Sequence, residues 1–194
     1  MFKWLPVLAA LCVAGCFNEP EPAYKMVPAG ARVYLQDKGL KTAPLPENPQ
    51  IVDYINLDRN SLTNIDALAA LDGLKWLRLN DNRLSSLPDL GRLVKLRRIY
   101  LRNNRFESVP ETLKNLPELT DIDLSGNPVS EVPEWLAKKQ GLKNLSFSAT
   151  RLKSLPADLS AWKSLHSLQL GELSLSAEEM KRIRDALPDV AIVF

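Results

Sequence analysis

The chain has 194 residues, of which 45% are hydrophobic and 25% are charged, and its formal net charge is +2. These proportions are ordinary for a globular protein, and the length suffices for one domain with a continuous core. The chain has two cysteines, Cys12 and Cys16, and one histidine, His166. Because both cysteines lie near the N-terminus, the rest of the chain cannot form a disulfide or a thiolate metal site. The composition therefore argues against most metal and nucleophilic chemistry.

The N-terminal segment has the layout of a secretory signal peptide. Lys3 precedes an apolar stretch over residues 4–13, which is shorter than the roughly 20 residues that cross a bilayer. Small residues and then Cys16 follow. The four residues V-A-G-C at positions 13–16 resemble the lipobox of bacterial lipoproteins. A plain cleaved signal peptide, or a cytosolic protein with an apolar N-terminus, is the alternative interpretation.

The lipobox resemblance implies a definite processing and location. In that family the signal peptide, here residues 1–15, is removed, and the sulfur of the new N-terminal cysteine, here Cys16, carries a diacylglycerol whose fatty acids include palmitate. Two or more acyl chains give a stable membrane anchor. Phe17 follows the cysteine where an Asp retains some lipoproteins in the inner membrane, so we expect a lipid-anchored protein of the bacterial cell envelope, in the outer membrane. Residues 16–30, rich in proline, are then an extended tether.

One asparagine-centred sequence motif, or phrase, recurs with spacings of 22, 22 and 23 residues. It reads V-D-Y-I-N-L-D-R-N-S-L, L-K-W-L-R-L-N-D-N-R-L, L-R-R-I-Y-L-R-N-N-R-F and L-T-D-I-D-L-S-G-N-P-V, with its marker asparagines at Asn60, Asn82, Asn104 and Asn127. The phrase resembles the leucine-rich repeat family. The resemblance and the period imply an α/β solenoid, a horseshoe whose parallel sheet lines the concave side and whose convex side carries short helical or 3₁₀ turns. We assign about seven such units to residues 31–175.

The constant positions of this repeated motif have structural roles. Apolar residues five and three positions before the marker alternate as in a strand and point into the core. A buried asparagine amide can satisfy backbone donors and acceptors at the turn after the strand, so we predict a ladder of the four marker asparagines. Lys38, Thr150 and Leu173 occupy the marker position in degenerate units, and the ladder is predicted to end near Thr150.

The convex side and the C-terminus carry separate signals. Prolines six residues after the marker position predict helical turns at Pro44, Pro88, Pro110, Pro133 and Pro156. An Ala-Leu-rich stretch predicts a better helix at residues 66–71. The sequence S-A-E-E from Ser176 is a capping box, so residues 176–194 are assigned to a capping helix, stopped by Pro188 and followed by a last strand at residues 190–194.

The variable positions between the constant positions of the repeat face the concave side and hold the candidate binding residues. Exposed Trp, Tyr and Arg are enriched at binding hot spots, and adjacent strands are about 4.8 Å apart. The predicted partner-binding residues are Tyr34, Tyr54, Trp76, Arg78, Arg98, Tyr100, Arg102, Asp121 and Asp123. The alternative is a solvated face in which neighbours such as Arg98 and Asp121 simply pair with each other.

The charge distribution bears on the partner. Residues 75–105 contain nine basic and two acidic side chains, a net charge of +7, which favours an anionic partner surface. Nucleic acid is not expected for an exported chain, and neither cofactor nor metal is expected. Asp121 and Asp123 have a spacing that glycosidases use, but we expect them on an open, wet surface where nothing raises a pKa, so no enzyme activity is predicted.

The sequence thus predicts a monomeric, non-enzymatic protein-binding module, held in a bacterial envelope by a lipid and presenting its concave face. Leucine-rich repeat proteins commonly bind proteins, so this function follows from resemblance together with the residues of the concave face. The alternative function is a structural or assembly subunit of an envelope complex, which would use its edges or its convex side.

Overall fold

The computed structural model describes residues 30–194, which form one open sheet of eight parallel strands in chain order. The strands are β1 (Ala31–Tyr34), β2 (Val52–Asn56), β3 (Trp76–Arg78), β4 (Arg98–Tyr100), β5 (Asp121–Asp123), β6 (Asn144–Ser146), β7 (Ser167–Gln169) and β8 (Ala191–Val193). Each strand pairs only with its neighbours in sequence, as in a solenoid. The predicted signal peptide, Cys16 and nearly all of the tether lie outside the described residues.

The strands are short because each repeat contributes only one inward side chain at its centre. The central residues of β3, β4 and β5 are Leu77, Ile99 and Ile122, and all three are buried. The residues on either side of each centre point to the concave face, as the period of two requires. The pairing register from β1 to β7 is the one that the asparagine spacing predicts.

The convex side consists of single turns, because few residues remain for the return to the next strand. Four segments are 3₁₀ helices, and one is the short α-helix α1 (Glu134–Ala137): the 3₁₀ segments are Pro49–Ile51, Asp66–Ala70, Glu111–Asn115 and Ser160–Ser164. The better helix predicted at residues 66–71 is wrong in type, because Asp66–Ala70 forms a 3₁₀ helix. A helical turn starts directly after Pro110 and Pro133, but not after the other three prolines.

The marker asparagines form the predicted ladder. The Asn82 amide nitrogen donates to the carbonyls of Leu57, Leu79 and Asn80 at 3.0–3.1 Å, and its oxygen accepts from the Leu62 N–H at 3.0 Å. Asn60, Asn104 and Asn127 repeat this pattern. Each amide therefore ties its own turn to the preceding repeat, and the buried polar backbone is satisfied without water.

The residue before each marker adopts a left-handed backbone conformation, which the sequence did not indicate. Its φ lies between 52° and 68° in all seven repeats, at Asp37, Arg59, Asp81, Asn103, Gly126, Ala149 and Glu172. Such a conformation costs roughly 1–2 kcal/mol for a residue with a Cβ atom. Only one of the seven is glycine. At Arg59, Asp81 and Asn103 the asparagine that follows holds this turn through its bonds, whereas the turns at Asp37, Ala149 and Glu172 form without a following asparagine.

A C-terminal helix, α2 (Ala177–Ala186), covers the end of the array as predicted. The Ser176 hydroxyl accepts from the Glu179 N–H at 3.1 Å, which is half of the predicted capping box. The Glu179 carboxylate instead accepts from the Leu155 N–H at 2.8 Å and from Arg182 at 2.7 Å. Arg182 also holds the pKa of that carboxyl below its ordinary value. This clamp fixes α2 to the preceding repeat, and β8 then extends the sheet.

The degenerate marker Thr150 ends the ladder and generates a prediction. Its hydroxyl donates to the Phe147 carbonyl at 2.8 Å, and among residues 30–194 no acceptor meets the N–H of buried Val129, which an asparagine would bond. We expect Thr150→Asn to raise the free energy of unfolding by roughly 1–2 kcal/mol, since it adds two hydrogen bonds. Urea denaturation measures this free energy of unfolding, and the m-value should stay unchanged. Thr150→Ala, the control, should lose about 1 kcal/mol, and a destabilised Thr150→Asn would contradict the ladder's extension.

Candidate binding surface

The concave face carries two rows of side chains that run across the strands. The first row is Arg32, Tyr54, Trp76, Arg98, Asp121, Asn144 and Ser167; the second row is Tyr34, Asn56, Arg78, Tyr100, Asp123, Ser146 and Gln169. Eight of the nine predicted partner-binding residues lie in these two rows. The ninth, Arg102, follows β4 and lies at the strand ends, apart from the rows.

Three aromatic side chains form a contiguous cluster at the N-terminal end of the face. The rings of Tyr34 and Tyr54 have centroids 5.4 Å apart, and those of Tyr54 and Trp76 lie 5.9 Å apart, edge to face. Tyr34 is 49% exposed, and the other two are half-buried. We call these three residues the aromatic cluster. Such ring pairs stabilise each other beyond their area burial, so the cluster is held in place by its own contacts.

Arginines lie over the rings and extend this surface. The guanidinium carbon of Arg98 lies 4.5 Å from the Trp76 ring centroid, and that of Arg78 lies 5.5 Å from the Tyr100 ring. Both distances are within the range of a cation–π attraction. The arginines therefore restrain the aromatic side chains rather than standing free in solvent.

A buried carboxylate positions Arg78, and sequence reasoning missed it. The Asp58 side chain is only 3% exposed and lies 2.6 Å from an Arg78 guanidinium nitrogen. The other Asp58 oxygen accepts from the Asn80 N–H at 2.8 Å. Arg78 lies four residues before the marker of its repeat, and Asp58 lies two residues before the marker of the previous repeat. This offset of 20 residues is the sequence signal that could have revealed the pair. Arg78 is thus a structural cation with one exposed edge.

The expectation of an open, wet surface is wrong for Asp121, which is buried, whereas Asp123 is half-buried. Asp121 is 9% exposed; it accepts from the Thr120 hydroxyl at 2.5 Å and from the Asn144 amide at 2.7 Å, with Arg98 at 3.8 Å. Asp123 accepts from the N–H and the hydroxyl of Ser125. Asp121 is therefore buried and Asp123 half-buried, and both carboxylates accept hydrogen bonds from neighbouring donors rather than standing free in solvent.

The basic run at residues 75–105 does not form one patch. Arg78 and Arg98 lie on the concave face, and Lys75 and Arg97 precede the strands, where they pair with Asp53 at 3.7 Å and Glu118 at 2.9 Å. Arg92 and Lys95 lie between β3 and β4, whereas Arg83, Arg102 and Arg105 follow the strands. The net charge of +7 is therefore divided among several faces, and the concave share of it is largely neutralised by carboxylates.

A shallow cleft adjoins the aromatic cluster on the side where the strands begin. Its volume is about 220 Å³, and it is lined by Arg32, Asp53, Tyr54, Lys75, Trp76 and Arg97. It combines two aromatic walls with three cations and one carboxylate. Within residues 30–194, no group of three or more His, Cys, Asp or Glu side chains is placed to hold a metal ion, and no helix is long and apolar enough to cross a membrane.

Comparisons with known proteins agree with this architecture. The family model described as leucine rich repeat matches residues 77–129. A leucine-rich repeat protein of Leptospira interrogans is similar in structure, with a TM-score of 0.63 and 25% identity over 75% of this chain. The chain spans 43% of the length of that protein. A comparison with curated proteins gave no match. The fold is that of a leucine-rich repeat horseshoe.

The Arg78–Asp58 pair generates a prediction that separates structure from binding. We expect Arg78→Ala to lower the free energy of unfolding by about 2–3 kcal/mol, because it leaves a buried carboxylate without its cation. In an Asp58→Asn background the same substitution should cost less, since no buried charge remains. Urea denaturation of the four proteins in this double-mutant cycle measures the coupling. Strictly additive costs would show that Arg78 does not depend on Asp58.

Proposed function

We propose that this protein is a non-enzymatic protein-binding module that captures its partner on the concave face, through the aromatic cluster and Tyr100. The observation that supports this most is the aromatic cluster itself, three neighbouring rings left partly open to solvent on a rigid sheet. Large rings with few rotatable bonds bury area at a low entropic cost, and they dominate binding energy at many interfaces.

Preorganisation strengthens this proposal. The Trp76 ring meets Tyr54 edge to face, the Tyr34 ring is tilted against Tyr54, and arginines lie over Trp76 and Tyr100. A partner would therefore not have to order these side chains, and the corresponding cost of roughly 0.5–1.5 kcal/mol for each side chain is avoided. The cleft beside the cluster offers a recess for one side chain of the partner.

We propose that the partner presents acidic groups near this cleft. Three cations line the cleft: Lys75 pairs with Asp53, Arg97 pairs with Glu118, and Arg32 contacts no carboxylate among the described residues. Arg78 and Arg98 contribute less to such recognition, because Asp58 and Asp121 lie beside them. Aromatic contact therefore supplies most of the binding, and charge selects the orientation of the partner.

We further propose that a lipid on Cys16 anchors the protein in a bacterial envelope, in the outer membrane. The lipobox resemblance at residues 13–16 supports this, and the proline-containing stretch before β1 would serve as the tether. Such an arrangement would keep the binding face within the reach of the tether from the membrane. Under this proposal the protein is monomeric until it captures its partner.

Photo-crosslinking in cells tests the binding face directly. We expect a photoreactive phenylalanine analogue at Tyr34 to crosslink one discrete partner, because this ring is the most exposed of the aromatic cluster. Replacing Trp76 and Tyr100 together by Ala should lower the yield at least tenfold, about 1.4 kcal/mol of binding free energy. Arg78 must be left intact, since its loss would destabilise the fold.

The matched control places the same analogue at Val94, which is 47% exposed and lies between β3 and β4, off the concave rows. Capture from Tyr34 but not from Val94 supports the proposal. A partner that crosslinks from Val94 alone would contradict it and favour the alternative function, a structural subunit of an envelope assembly.

The lipid anchor has its own test. We expect the wild-type chain to incorporate radiolabelled palmitate in a bacterial host and to sediment with membranes, whereas Cys16→Ser should abolish both. Cys12→Ser, the control, lies inside the segment predicted to be removed and should leave labelling unchanged. Labelling that persists in Cys16→Ser would overturn the lipoprotein assignment.

A further inference from the structure

The arginines of this fold divide into two groups by their contacts. Seven of the twelve arginines in residues 30–194 contact a carboxylate or lie over an aromatic ring: Arg32, Arg59, Arg78, Arg97, Arg98, Arg182 and Arg184. Five have neither kind of contact within the described range: Arg83, Arg92, Arg102, Arg105 and Arg151. Four of these five lie together where the strands end, on either side of the marker position.

We call Arg83, Arg102, Arg105 and Arg151 the basic edge. Three of them, all but Arg102, directly follow the marker position in their repeats, and Arg102 lies two residues before Asn104. Neighbouring repeats are about 4.8 Å apart, so the four guanidinium groups are spread over roughly 15 Å. All four side chains are exposed. Asp81 and Glu107 lie among them, and Asp81 already accepts a hydrogen bond from Asn103 at 2.7 Å.

The spacing of the edge suits several separate anions rather than one small ligand. Between Arg105 and Arg151 lies an open notch of about 400 Å³, with Gly126, Pro128 and Ala149 among its lining residues. Guanidinium groups bind phosphate oxygens in a bidentate manner, but these four are held by no partner within the described residues. A ligand of fixed shape would need a more rigid site, whereas mobile phosphate groups can move to meet each arginine.

We propose that the basic edge binds the phosphate headgroups of an anionic bilayer. The protein then lies on the membrane with the C-terminal ends of its strands facing the bilayer. This rests on the proposed function, which places the chain at a membrane. The tether of residues 16–30 could extend at most roughly 50 Å, which exceeds the width of these short strands. The tether therefore permits this contact, and the edge selects one orientation.

This orientation has a consequence for partner capture. The rows of the concave face run across the strands, and the basic edge lies at one end of those strands. With that edge on the membrane, the strands stand away from the bilayer, and the concave face opens sideways. The aromatic cluster then stays accessible to a protein in the same membrane or beside it.

Vesicle sedimentation tests the proposal, with the chain from residue 16 onward carrying Cys16→Ser, which is the mature form without its lipid. We expect binding to vesicles of 30% phosphatidylglycerol in phosphatidylcholine and not to pure phosphatidylcholine, with weakening at high salt. Each basic residue near such a surface strengthens membrane binding about fivefold. Replacing all four edge arginines by Gln should therefore weaken binding by roughly 600-fold.

The control replaces Arg92, Lys95, Lys114 and Lys143 by Gln, which removes the same charge from exposed positions off the edge. Binding that is retained in this control supports the edge, whereas an equal loss would show that only net charge matters and would overturn the proposal. Competition by inorganic phosphate at constant ionic strength would instead indicate a discrete anion site and also contradict it. The Trp76→Ala/Tyr100→Ala variant should still bind vesicles, so failure of partner capture and failure of membrane contact are distinguishable.

Discussion

The fold depends on the side-chain amide of one asparagine in each central repeat. That amide donates to carbonyls of its own turn and of the preceding repeat, and it accepts from an N–H of the preceding repeat. A turn this sharp otherwise leaves several buried backbone groups without partners, at about 1–3 kcal/mol each. A left-handed residue precedes every marker, with or without an asparagine, so this conformation belongs to the turn itself and the amide bonds are added to it.

This constraint explains which features could be predicted from the sequence. The spacing of the asparagines fixes the strand register, and with it the two concave rows, since a period of two assigns every residue to a face. The C-terminal cap also followed from local signals at Ser176 and Pro188. The convex turns were less predictable: Pro88 and Pro156 occupy the same place as Pro110, yet no helical turn follows them directly. With so few residues in each return, packing against the core decides the turn, not the local sequence.

The contacts of the candidate site were the least predictable part. The sequence places Arg78 and Arg98 correctly on the concave face, but it does not reveal that Asp58 is buried beneath Arg78 or that Asn144 and Thr120 cover Asp121. These contacts join residues at different positions of the repeat or in neighbouring repeats, and side-chain length decides which of them form. The result changes the meaning of the charge: most concave cations are components of the scaffold, and the aromatic rings are the surface that remains for a partner.

The same distinction separates the two surfaces of the protein. Arginines that are paired or stacked are held in one position, so they suit a face that recognises a partner of fixed shape. The edge arginines are exposed and free of such contacts in the described chain, so they suit a surface whose charges can rearrange. The interior keeps the same apolar positions from repeat to repeat, and the asparagine ladder joins the four central repeats. The repeats therefore differ mainly in their outward positions, and the rigid array can carry a preorganised aromatic face and an adaptable basic edge at the same time.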